Sequence, residues 1–139
     1  MATHFSRALL ASVVAATACS NNSNSTTPTT PTTPSQTVTF TDTLTTNGAK
    51  TFQFTTASSG TVTTQLTTLT ATNTGQTVSL SLGTWNGAAC QIILANDVAA
   101  QGAVVTGTVS TASNLCTRIS DANGSIPGPT PFVITVVHP

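Results

Sequence analysis

The stretch Leu80-Ser-Leu-Gly-Thr-Trp-Asn-Gly-Ala-Ala-Cys-Gln-Ile-Ile-Leu-Ala-Asn-Asp97 decides how this chain folds. Val78, Leu80 and Leu82 alternate with Ser79 and Ser81, so one side of an extended strand is apolar. Trp85-Asn-Gly87 then supplies a turn, because glycine takes the positive φ that a tight reversal needs. A second apolar run leaves through Cys90, Ile92 and Leu94. The stretch therefore predicts a β-hairpin. The rest of the folded chain is expected to add strands around it.

Working outward, the same period of two recurs. Val38, Phe40 and Leu44 alternate with threonines, and Asn47-Gly48 marks a turn. Phe52 and Phe54 bracket Gln53, and Ser58-Ser59-Gly60 turns again. Val62 and Leu66 carry the pattern to Leu69, and Asn73-Thr-Gly75 breaks it. Val104 to Val109, Leu115 to Ile119 and Phe132 to Val137 follow. About eight strands with regular turns predict an all-β fold, an antiparallel β-sandwich of jelly-roll-like form, over residues 35–139. Threonine, about a quarter of the chain, suits such strands because its branched Cβ fits a pleated surface.

Charged residues make up 4% of the chain, against roughly 25% in an average soluble protein. The formal net charge is +0. Nucleic-acid binding needs several cations against phosphates, and only Lys50 and Arg118 follow the N-terminal segment. No nucleic-acid partner is expected.

Residues 1–18 read as an export signal. Arg7 gives the positive region, and Ala8 to Ala16 form an apolar run too short to span a bilayer. Ala16-Thr17-Ala18 places small residues directly before Cys19, as in a lipoprotein signal cut before a cysteine that then carries lipid. An ordinary secretory signal with an incidental cysteine is the other reading. Residues 19–34 then hold the anchor and a Thr-Thr-Pro tether with nothing apolar to bury. The expected location is a bacterial cell envelope, outer membrane or cell surface, with membrane attachment through Cys19. Secretion is the alternative.

Cys90 and Cys116 remain, and in an exported chain two such cysteines pair. Leu115 and Ile119 set one face of their strand, so Cys116 is expected on the opposite, outer face. No metal site is expected from these two cysteines, since no histidine accompanies them.

The order of motifs resembles the bacterial pre-peptidase C-terminal (PPC) domain. The stretches that carry the likeness are Phe40-Thr-Asp-Thr-Leu44, Phe52-Gln-Phe54, Ser59-Gly60-Thr-Val62, Val78-Ser-Leu-Ser-Leu-Gly83, Arg118-Ile-Ser-Asp121 and Phe132-Val-Ile-Thr-Val136. They cover about residues 36–138. The resemblance implies a small non-catalytic accessory β-sandwich linked to secretion, surface association or carbohydrate contact. Family members commonly carry acidic residues leading into the third or fourth strand. Thr77 and Ser79 stand there in this chain, so a calcium role is not carried over.

Catalysis needs a positioned base. The chain after the signal has one histidine, His138, no glutamate, and neither a nucleophile elbow nor a phosphate loop. No enzyme activity and no cofactor are expected. Trp85 is the candidate binding residue: an exposed indole stacks on a sugar ring, with Asn86 and Gln91 to bond its hydroxyls. The other reading has Trp85 closing one end of the sandwich or packing on the disulfide. Asp97, Asp121 and Asn123 offer calcium-type oxygens, but their setting reads more readily as Asx turns. Arg118 and Asp97 are expected to pair with each other or with Asp121. The sequence thus favours an envelope interaction or accessory module whose partner is an envelope protein or a carbohydrate. A carbohydrate-binding module centred on Trp85 is the alternative, and self-association through Thr-faced edge strands is a third reading.

Overall fold

The structure, a computed structural model, describes residues 33–70 and 75–139. The expected signal, the Cys19 anchor and most of the tether lie outside these residues. Eight strands form: β1 (Gln36–Leu44), β2 (Ala49–Thr56), β3 (Gly60–Leu69), β4 (Val78–Trp85), β5 (Cys90–Ala99), β6 (Val104–Val109), β7 (Ser113–Ser120) and β8 (Thr130–His138). Among the described residues there is no helix. One sheet runs β1-β8-β3-β6 and the other β2-β7-β4-β5, with every pairing antiparallel.

A simple rule generates this topology. β1 pairs with β8, β2 with β7, β3 with β6 and β4 with β5. The chain is one long antiparallel ribbon, doubled back between β4 and β5 and wrapped into two sheets. β3–β8 and β4–β7 contacts close the wrap. That is a jelly roll, as the strand count predicts. The quoted stretch is the tip of the ribbon and its only connection between strands that pair with each other. Asn47-Gly48, by contrast, is no hairpin turn. It carries the chain from one sheet to the other, with Asn47 at φ 53° and Gly48 N–H donating to Thr45 O at 2.8 Å.

Alternation fills the space between the sheets. Leu44, Val62, Leu66, Leu80, Ile119, Phe132, Ile134 and Val136 are fully buried there. Full burial of one such side chain contributes about 1.5–3 kcal/mol. The threonines take the opposite positions: Thr37, Thr39, Thr41 and Thr43 of β1 face solvent. On β3 and β8 the Thr67 hydroxyl donates to Thr135 Oγ1 at 2.8 Å.

The β1–β2 side of the sandwich is closed. Phe40 stacks on Phe52 with ring centroids 4.8 Å apart, and Phe52 meets the edge of Phe132 at 6.1 Å. Lys50 and Asp42 pair across this side at 2.9 Å. This ion pair was not expected, and it corrects the pairing read from sequence. Asp97 instead accepts a hydrogen bond from Ser79 Oγ at 2.7 Å, and among the described residues Arg118 forms no salt bridge.

Candidate interaction surface

The site begins at Gly83. β5 swings across the outer face of β4 here, and a Cβ on Gly83 would fall on the Gln91 carbonyl. Glycine is therefore required by close approach of two backbones. The crossing carries Cys90 to Cys116 of β7, and the two form a disulfide with Cα atoms 5.7 Å apart. Cys116 pairs with Gly83 on one side and Gln53 on the other, on the face opposite Leu115 and Ile119. It is nevertheless fully buried, because the disulfide and the folded-over start of β5 cover it.

Trp85 ends β4, paired with Cys90, rather than sitting in the turn. Its indole is half-buried. A shallow depression of about 160 Å³ beside it is lined by Gln53, Phe54, Thr55 and Asn114. Thr55 and Asn114 are register partners on β2 and β7, so two amides and a hydroxyl flank the ring. Gln53 and Asn114 were not read from sequence; only the strand register brings them to Trp85. The residues singled out beforehand stand differently. Asn86 Oδ1 accepts from Ala88 N–H at 3.0 Å and Ala89 N–H at 2.8 Å, which caps the turn. Gln91 is exposed on β5, opposite Thr84.

The calcium candidates Asp97 and Asp121 both accept hydrogen bonds from protein groups. Among the described residues no three His, Cys, Asp or Glu side chains come together. Asp121 is buried, and its carboxylate is filled by protein donors. Oδ1 accepts from Ser125 N–H at 2.8 Å and Ser125 Oγ at 3.1 Å. Oδ2 accepts from Asn47 N–H at 3.0 Å and Ile126 N–H at 3.2 Å. Four bonds occupy a carboxylate's acceptor sites. Burial disfavours its charge, but these bonds prevail and hold its pKa below the ordinary 3.8. Asn123 is exposed on the same loop. His138 is buried with its ring 5.4 Å from that of Phe54, and its Nδ1 lies 3.1 Å from the Pro139 carbonyl.

The β5–β6 side, unlike the β1–β2 side, is open. Ile92, Ile93, Leu94 and Val98 of β5 and Val104 of β6 expose their side chains. Between the strands lies a groove of about 250 Å³, reaching Val62, Leu82 and Leu115 of the interior. The sequence carried a signal for this in Ile92-Ile93-Leu94, an apolar run without alternation. That pattern reads equally as a fully buried strand. No family model, curated protein or solved structure matches the chain.

Proposed function

We propose that this protein is a non-catalytic interaction module of a bacterial cell envelope, tethered through lipid on Cys19 and presenting a PPC-like jelly roll. The observation that carries the reading is the open apolar side. Exposed aliphatic patches on soluble domains mark places where another surface docks. The stretches that resemble the PPC domain fall on β1 to β4, β7 and β8, which supports the family reading. A non-catalytic role is supported by Asp121, whose acceptor capacity is spent on the fold, and by His138, which meets a carbonyl and a phenyl ring.

Membrane fractionation of a bacterial host expressing the full chain tests the tether. The chain is expected in the membrane pellet, and Cys19→Ser in the soluble fraction. A soluble wild-type chain removes the anchor.

The Trp85 depression favours a second reading, a carbohydrate-binding module, because an aromatic ring bordered by amides is how proteins hold sugars. Glycan-array binding that vanishes in both Trp85→Ala and Asn114→Ala, with the melting temperature retained, establishes it. Silence across the array rejects it.

A further inference from the structure

We propose that Arg118 extends the Trp85 depression into a site for an acidic oligosaccharide, its guanidinium receiving a ring carboxylate or a sulfate ester. The proposal rests on the carbohydrate reading of Trp85. β2 and β7 lay out the site. Thr55 lies opposite Asn114, Gln53 opposite Cys116 and Thr51 opposite Arg118. The three β2 residues are exposed, and alternate residues of a strand share a face. Leu115, Thr117 and Ile119 take the interior positions of β7, so Arg118 shares the outer face with Cys116 and Asn114. The outer side of these two strands is therefore a ledge of hydroxyl, amide and hydroxyl. Trp85 stands beside Asn114 at one end, and Arg118 beside Thr51 at the other. The ends lie about 13 Å apart along the strand, a span of more than one sugar ring. The Cys90–Cys116 disulfide and the start of β5, which crosses at Gly83, wall the ledge on the β4 side.

Charge names the ligand class. Among the described residues Lys50 and Arg118 are the only Lys or Arg, and Lys50 is paired with Asp42. Arg118 is left without a carboxylate, and the carboxylates that could serve it are engaged elsewhere. Asp42 holds Lys50, and Asp97 holds the Ser79 hydroxyl. Asp121 is filled by Asn47, Ser125 and Ile126. A guanidinium keeps its charge at any physiological pH, and its planar fork meets two oxygens of one anion at once. Its base is held in place. Arg118 pairs with Thr51 on one side and Ser81 on the other, and its carbonyl accepts from Ser81 Oγ at 3.2 Å. A group fixed before binding costs less to order. An indole and a guanidinium at the two ends of a hydroxyl and amide ledge match a sugar face and a sugar anion. A neutral glycan would leave the guanidinium unused.

Isothermal titration of the full chain, purified in detergent, tests the proposal. The probes are oligomers of galacturonate, mannuronate and glucuronate beside their methyl esters, and a sulfated galactan oligomer beside its desulfated form. An acidic probe is expected to bind at least about tenfold tighter than its neutral counterpart, and which probe does so identifies the anion. Arg118→Gln is expected to abolish that preference at an unchanged melting temperature. Arg118→Lys is expected to keep only part of it, because a point charge lacks the fork. Thr39→Lys, a cation added on β1 of the other sheet, is expected to leave it unchanged. Acidic and neutral forms bound alike, or a preference that survives Arg118→Gln, overturns the proposal. The carbohydrate reading stands in that case if binding still vanishes in Trp85→Ala. A wild-type chain that binds none of the probes overturns the proposal, and the glycan array then decides the carbohydrate reading.

Discussion

Two residues show how much of this fold depends on positions that composition does not mark. Gly83 lies under the Gln91 carbonyl, so Gly83→Ala must push β5 away from β4. Forced overpacking of this kind costs about 1–3 kcal/mol. Thermal unfolding should show the loss, and thiol titration should show free Cys90 and Cys116, because the crossing that joins them is disturbed. Asp121 acts at the other extreme, as a carboxylate serving the backbone. It ties the Asn47 turn to the loop before β8. Asp121→Asn keeps one acceptor oxygen and is expected to lose about 2 kcal/mol at neutral pH, since bonds to charged groups contribute most. The pH dependence has a definite sign. The folded pKa lies below 3.8, so between that value and 3.8 the unfolded chain binds more protons than the folded one. Stability from Asp121 is complete above 3.8 and is lost as pH falls through the folded value. Denaturant melts at neutral pH and at about pH 2 should therefore show the gap between wild type and Asp121→Asn narrowing on acidification. A gap independent of pH would mean that the charge is not what matters.

Among the elements, the β4–β5 hairpin depends most on a covalent tie. Its disulfide closes the chain between Cys90 and Cys116, a constraint expected to contribute roughly 3–4 kcal/mol by loop-closure entropy. Cys90→Ser with Cys116→Ser should lower the melting temperature by more than about 10 °C in a domain of this size. Hydrogen exchange should rise first in β5, which is paired on one side only and largely exposed. Uniform acceleration in all strands would refute that local role. Sequence pattern located the strands, most of them because one buried face imposes a period of two, whereas β5 was marked by an apolar run that lies largely exposed. The Cys90–Cys116 pairing was legible too, since the expected export signal and the anchor expected at Cys19 left two cysteines to pair. What remained hidden depends on register. Gln53 and Asn114 reach Trp85 only because β7 lies beside β4 and β2 beside β7, and Gly83 matters only because β5 crosses it. The salt bridge escaped for the same reason, as Asp42 and Lys50 meet across two sheets. The exposure of Ile93 and Val98 depends on bulges, which a hydrophobic pattern does not encode.

For the whole molecule, the ribbon topology makes a kinetic statement. Gln36 pairs with His138, so the outermost pairing closes nearly the whole folded chain. Only β4 and β5 can pair locally, through the four-residue loop Asn86 to Ala89. Loop-closure entropy must be met before distant strands reward it, so folding should be slow, in the millisecond-to-second range typical of all-β sandwiches. The ribbon should zip from its tip. Gly87, at φ 97° with open space around it, tests this cleanly. An alanine there adds no clash with neighbours, only the cost of left-handed backbone, roughly 1–2 kcal/mol. If the tip forms in the transition state, Gly87→Ala slows folding about five- to thirtyfold and leaves unfolding nearly unchanged. Val136→Ala, buried on β8 near the ribbon's open end, should do the reverse and chiefly speed unfolding. Stopped-flow chevrons of the two variants decide the order. If Val136→Ala slows folding while Gly87→Ala speeds unfolding, the strands flanking the ends assemble first, and the tip is a late closure held by its disulfide.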